Sequence, residues 1–150
     1  MQNAICFSTK FGWITATEQK NKITSIHFKK SSKQGKTSFL LNKLKSDTNL
    51  FFKGETKLIN LPLKIEGSSI QKKVWNELRK IKKGKTKSYG DIAKKFRLSP
   101  RYVGKICGQN QHILAIPCHR VIRSDGSLAG FSAMGGINLK KKLLEFERNK

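Results

Sequence analysis

Acidic residues are scarce in this chain. Nine Asp and Glu stand against 32 Lys and Arg over 150 residues, a formal charge of +23 with histidine neutral. That excess is far outside what solubility requires and points to a polyanionic partner met through its phosphates. It is spread along the chain, with 11 basic and 3 acidic side chains in residues 1–63 and 21 and 6 in residues 64–150. Charge alone supports only non-specific binding. Cysteine is also sparse: Cys6, Cys107 and Cys118 are odd in number and irregularly spaced, which argues against a secreted disulfide framework and for a reducing compartment. No apolar run approaches a membrane span, and the first residues lack the basic and then apolar pattern of a secretory leader. The expectation is a soluble cytoplasmic protein, nucleoid-associated when bound to DNA. There is no internal repeat and no low-complexity tract beyond the lysine enrichment.

The chain nevertheless has enough length to bury about two-thirds of its unfolded surface. Residues 4–7, 13–16 and 23–28 are β-branched or aromatic stretches separated by turn formers, and 38–46 has Leu41 and Leu44 on one helical face. This predicts an N-terminal sheet-plus-helix domain over 1–62, followed across a segment containing Pro62 by a second domain over 63–150. From Ser68 the period becomes helical, with Ile70, Val74, Leu78 and Ile81 at three- and four-residue steps, Ser68 or Ser69 as N-cap, and Gly84 as the stop. Residues 88–96 form the next helix. Ser99 caps a third, with Pro100 at its first position, running to about Gln109. Two short helices joined by a tight turn make a helix-turn-helix, and in so basic a protein the second is the natural recognition helix. A last helix spans about 138–148, with Leu139, Leu143 and Leu144 inward.

The chemistry concentrates in Ile116-Pro117-Cys118-His119-Arg120-Val121-Ile122, where a thiol stands beside an imidazole in an apolar run closed by cations. Such a setting can hold cysteine as the thiolate, the form that attacks carbon. The plainer reading of Cys118 alone is a small buried hydrophobe. A metal-binding regulator using Cys107, His112, Cys118 and His119 matches no common zinc spacing and needs awkward adjacent ligands, and an N-terminal site with Cys6 and His27 lacks a full ligand set.

That segment closely resembles the methylated-DNA-protein-cysteine methyltransferases. The resemblance extends over most of residues 60–150, through Val74-Trp75-x-x-Leu78, Ser88-Tyr89-Gly90-x-Ile92-Ala93, Ser99-Pro100-Arg101-x-Val103-Gly104, Asn110, Gly126-Ser127-Leu128 and Lys140-x-x-Leu143-Leu144-x-x-Glu147. It implies an α+β fold, with a ribonuclease-H-like N-terminal domain and a winged helix-turn-helix-like catalytic domain. It also implies a monomer that needs no cofactor and no metal. The implied partner is double-stranded DNA containing alkylated guanine. The implied reaction is stoichiometric transfer of the alkyl group of 6-O-methylguanine, with 4-O-methylthymine as a second candidate, to Cys118, inactivating the protein. Because the reacting oxygen lies inside the base stack, the nucleotide must first be extruded.

By the same resemblance Tyr89 crowds the phosphate of the flipped nucleotide and offers its hydroxyl to the base. Arg101 fills the vacated stack, and Ser99, Tyr102 and Gly104 lie on the DNA-facing helix. Asn110 pins the backbone ahead of the reactive segment. Val121 and Ser132 belong to the base pocket, with the Cys118 and Val121 carbonyls accepting from the base's amino group. Cys118, a bridging water, His119 and Glu147 form a relay like other triads, with Glu145 as the nearby competitor. The chain departs from the family pattern at Gln111, usually proline, and at Tyr102, usually small. The loop around Ser132 is about two residues longer than in some relatives. The alternatives are a non-catalytic lesion-binding protein, which Cys118 argues against, an architectural DNA binder, which leaves the Cys118 segment unexplained, and a cysteine hydrolase, which needs no helix-turn-helix.

Overall fold

A computed structural model describes residues 2–31, 35–56, 59–128 and 136–149. They fold as two compact units, one of residues 1–65 with 111–115 and the other of 66–110 with 116–150.

In the first unit β1 (Asn3–Thr9), β2 (Gly12–Gln19) and β3 (Lys22–His27) form an antiparallel sheet in that order. The β2–β3 turn places Lys20 at φ 53° and Asn21 at φ 63°, the pair of positive values that matches the strand twist in a two-residue hairpin. Glu18 secures it by accepting from the Asn21 amide at 3.0 Å. Ile14, Ala16, Ile23 and Ile26 are buried together with Leu41, Leu44, Phe51 and Phe52 of α1 (Phe39–Phe52). The helix outruns the expected 38–46: Ser46, Asp47, Thr48 and Asn49 are weak helix formers, but Thr48, Phe51 and Phe52 continue the buried face.

Residues 111–115 belong to this unit and run beside β3. The Ile26 amide donates to the Gln111 carbonyl at 2.8 Å and the Ile113 amide to the Ile26 carbonyl at 3.1 Å. Gln111, standing where proline was expected, also meets His27 Nε2 through Oε1 at 3.1 Å. Pairing, rather than a ring, fixes this stretch.

The second unit is mostly helical. α2 (Ser69–Leu78) starts in a reciprocal capping box between Ser68 and Gln71. It ends at Leu78 rather than Gly84, because the chain tightens there: the Lys80 and Ile81 amides donate to the Glu77 and Leu78 carbonyls. Ile81 is still buried, but from a turn.

After β4 (Lys87–Ser88), α3 (Tyr89–Phe96) is capped by Ser88 and stopped by Arg97 in the left-handed region at φ 58°. α4 (Pro100–Gly108) then starts on the Ser99 cap with Pro100 in its first turn. The three residues 97–99 are therefore the turn of the helix-turn-helix. Trp75 Nε1 donates to the Ile106 carbonyl at 3.0 Å, tying α2 to α4. Lys95 Nζ meets both Glu77 carboxylate oxygens at 2.9 and 3.0 Å, tying α2 to α3. A 3-10 turn (Cys118–Arg120) leads into β5 (Val121–Ile122), which pairs parallel with β4, and α5 (Gly136–Asn149) closes the unit. No helix among the described residues is long and apolar enough to cross a membrane.

Candidate active site

Proline sets the entry to the reactive segment. Pro117, at φ −82° and ψ 65°, centres an inverse γ-turn in which the Cys118 amide donates to the Ile116 carbonyl at 2.8 Å. The 3-10 turn that follows buries Cys118, His119 and Arg120 consecutively. Asn110, at the end of α4, holds this segment with one amide nitrogen. Its Nδ2 donates to the Ile116 carbonyl at 2.8 Å and lies 3.2 Å from Cys118 Sγ. The Cys118 carbonyl accepts from the Val121 amide, so that expected acceptor for a base already has a partner.

Glu147 on α5 organises the other side. It receives His119 Nε2 at 2.9 Å and, in a two-pronged pair, Arg120 Nε and Nη2, each at 2.8 Å. Arg120 Nη1 donates to the Ile81 carbonyl at 2.7 Å. All three side chains are buried, and Glu145 is exposed. Burial works against charge on Glu147, but the Arg120 and His119 hydrogen bonds prevail and hold its carboxyl at about 2. An ionised carboxylate only accepts, so His119 carries its proton on Nε2. Its Nδ1 is buried with no hydrogen-bond partner among the described residues. Burial also pushes His119 below the ordinary imidazole value, against the pull of Glu147. The ring is therefore neutral near pH 7, with its lone pair on Nδ1.

The thiol differs from the sequence expectation. Burial raises Cys118 above the ordinary thiol value, and the Asn110 hydrogen bond and the Lys140 charge only oppose that rise. The resting group is a thiol, not a thiolate. Cys107 is likewise a buried thiol, pushed up to about 12 by burial and then by Cys118.

Lys140 has no role in the sequence reading, yet it is 1% exposed and one of the largest fully buried side chains. Its Nζ donates to the Tyr89 hydroxyl at 3.3 Å and lies over the Tyr89 ring at 5.6 Å. Burial pushes this ammonium down, and Cys118 and Cys107 favour its charge only as thiolates. Burial pushes Tyr89 up to about 12, so its hydroxyl keeps its proton. A signal was available: positions 140, 143, 144 and 147 share one face of α5, so Lys140 lies on the inward stripe with Leu143 and Leu144. Arg120 was equally legible as part of a motif but not as the second partner of Glu147.

On α4, Ser99 Oγ is committed to capping, accepting from the Tyr102 amide at 3.1 Å, and Arg101 and Tyr102 are exposed. Gly104 faces Tyr89: a Cβ there would lie 3.8 Å from the ring, an ordinary contact. Val121 is fully buried. Ser132 lies outside the described residues. The alternative metal ligands are otherwise engaged, His112 Nε2 with the Ile23 carbonyl at 2.9 Å and Cys6 Sγ with Thr15 Oγ1 at 3.4 Å. No group of three metal-ligating side chains occurs among the described residues.

This arrangement joins a buried thiol, a neutral imidazole oriented by a carboxylate, and a phenol beside an ammonium, all on a helix-turn-helix unit. It is suited to moving one proton off sulfur while another is offered to a leaving group. Residues 69–149 match the family described as 6-O-methylguanine DNA methyltransferase, DNA binding domain. The chain is 34% identical over 143 residues to the methylated-DNA-protein-cysteine methyltransferase of Metallosphaera sedula, covering 94% of this chain and 90% of that one. It is 39% identical over 104 residues to the Mycobacterium tuberculosis protein of the same name, covering 68% of this chain and 62% of that one. The fold superposes on the crystal structure of Mycobacterium tuberculosis OGT in complex with DNA with a TM-score of 0.88 at 29% identity, over 98% of this chain and 93% of that one. On this agreement of motif, geometry and fold, the chain belongs to the methylated-DNA-protein-cysteine methyltransferase family.

Proposed function

We propose that the protein repairs DNA by taking the alkyl group of 6-O-methylguanine onto Cys118 Sγ. The carrying observations are the buried Cys118 thiol held by Asn110 Nδ2 and, next to it in the chain, a His119 ring whose Nε2 is fixed on Glu147. In the reaction the thiol proton leaves for His119 Nδ1 through a bridging water. Sulfur then bonds to the methyl carbon as the carbon–oxygen bond breaks, and the guanine takes up a proton. The products are an S-methyl cysteine and an ordinary guanine. Tyr89 offers the base its hydroxyl, and Lys140 behind it stabilises negative charge developing on the base. Keeping Cys118 protonated until a base arrives protects it from adventitious electrophiles.

Duplex DNA is the partner this reading requires. The net charge of +23 and the exposed start of α4, with Arg101 and Tyr102, support a protein that meets the backbone with its cations and fills the gap left by an extruded nucleotide with Arg101. We read the protein as acting as a monomer and without a cofactor.

The test is intact-protein mass after mixing with a duplex carrying one 6-O-methylguanine. One methyl group should appear, on the peptide containing Cys118, and Cys118→Ala should bind the same duplex without gaining mass. Sustained turnover, or transfer by Cys118→Ala, would overturn the reading.

A further inference from the structure

A cavity of about 450 Å3 in the second unit is lined by Tyr89 and Gly90 at the start of α3, Arg101 and Gly104 of α4, and Arg123 and Ser124 after β5. Arg101 already belongs to the DNA-binding reading; Arg123 does not. Strand register brings it there. Lys87 pairs with Val121 and Ser88 with Ile122, so the chains leave β4 and β5 side by side, one into Tyr89 and the other into Arg123. The turn is then fastened at both ends: the Arg123 amide donates to the Ser127 carbonyl at 3.0 Å, and the Gly126 amide to the Arg123 carbonyl at 2.9 Å. Gly126 supplies the required φ of +87°. Ser124 closes against α3, since a Cβ on Gly90 would lie 3.1 Å from its Oγ.

Two arginines and, among the described residues, no acidic residue line the cavity. Asp125, two residues along, feels the Arg123 charge but commits its Oδ1 to the Ser127 amide at 2.9 Å and hydroxyl at 2.6 Å. No ion pair neutralises Arg123 among the described residues. Two exposed arginines beside one concavity without an acidic lining residue raise its positive potential, and a guanidinium on a fastened turn suits a phosphodiester, whose paired oxygens match its fork. Resting on the alkyltransferase reading above, we propose that Arg123, with the Ser124 hydroxyl beside it, grips a phosphodiester of the damaged strand next to the extruded nucleotide. Tyr89 lines this cavity and also receives Lys140, so a phosphate held there sits at the mouth of the base pocket.

The test compares wild type with Arg123→Ala and Arg123→Lys in three measurements. First, affinity for an unmodified duplex is followed against salt. One lost phosphate contact makes the log–log slope shallower by about 0.9 for Arg123→Ala, and the retained charge restores it in Arg123→Lys. Second, single-turnover transfer from a methylated duplex at subsaturating protein falls about tenfold in Arg123→Ala, the equivalent of one such contact. Third, alkylation of Cys118 by free 6-O-methylguanine base, which has no phosphate, stays at the wild-type rate and shows the fold intact. An unchanged salt slope, or equal slowing on the free base, would overturn the assignment. If wild type itself were alkylated by neither substrate, the function would be misread, while the salt slope would still decide the role of Arg123.

Discussion

Replacing Glu147 by Gln removes one charge at nearly constant volume from the centre of the buried network. Glu147 accepts three hydrogen bonds, one from His119 and two from Arg120. An amide presents one oxygen and one NH2 where the carboxylate presented two acceptors, so one donor must face another. Arg120, 6% exposed, is left as a buried cation without its counter-charge. Breaking such a pair costs about 3–5 kcal/mol, which for a chain of this size lowers the melting temperature by roughly 6–20 °C. The chemistry suffers separately. If the new NH2 donates to His119 Nε2, the ring must move its own proton to Nδ1, the nitrogen needed as base. Losing a general base slows transfer by about 100-fold to 10,000-fold. Thermal unfolding by circular dichroism reads the first effect, and single-turnover transfer from a methylated duplex, well below the melting temperature, reads the second. Glu145→Gln, on the exposed side of α5, should change neither. A Glu147→Gln protein that melts within a degree of wild type and transfers within twofold of it would refute the account of the network.

Acid should act through the same carboxylate. Its pKa falls from 4.5 to about 2 on folding, so its contribution is complete above 4.5 and disappears as pH drops towards 2. At 1.36 kcal/mol per unit this is about 3 kcal/mol, and denaturant unfolding should show wild type losing its advantage over Glu147→Gln across that window. Because burial keeps His119 neutral below the ordinary imidazole value of 6.5, the transfer rate should stay level as pH falls from 7.5 to 6.5; a halving there would contradict it. Lys140→Met removes a buried ammonium for which no carboxylate partner is found among the described residues, so melting temperature should hold or rise while transfer slows at least tenfold and Cys118 reacts more slowly with iodoacetamide; unchanged rates in both assays would count against Lys140. Cys6 and Cys107 should gain no mass when Cys118 is alkylated, and a methyl group on either of their peptides would show that the acceptor is misassigned.

Much of the fold was legible in the sequence because its signals are local. Ser68 and Ser99 announce two helix starts through side-chain hydrogen bonds made within three residues, and Pro100 fixes a first turn. The strands showed as β-branched or aromatic stretches set off by turn formers, although burial along them does not alternate strictly: Ile14, Thr15 and Ala16 are all buried. The ordered set of short motifs pointed to the family and to Cys118, His119 and Glu147. Helix ends were less legible, because burial carried α1 across poor helix formers and a tight turn stopped α2 before its glycine. Protonation was not legible at all. A cysteine beside histidine and arginine suggests a thiolate, but the desolvation that keeps Cys118 a thiol arises only when α4, α5 and the 3-10 turn enclose it. Arg120 sharing Glu147 with His119, Lys140 standing behind Tyr89, and Arg123 entering the same cavity as Arg101 join residues distant along the chain. Sequence determined which chemical groups are available and the local turns that launch them; tertiary structure decided which of them lose water, which charges face one another, and so which proton can move.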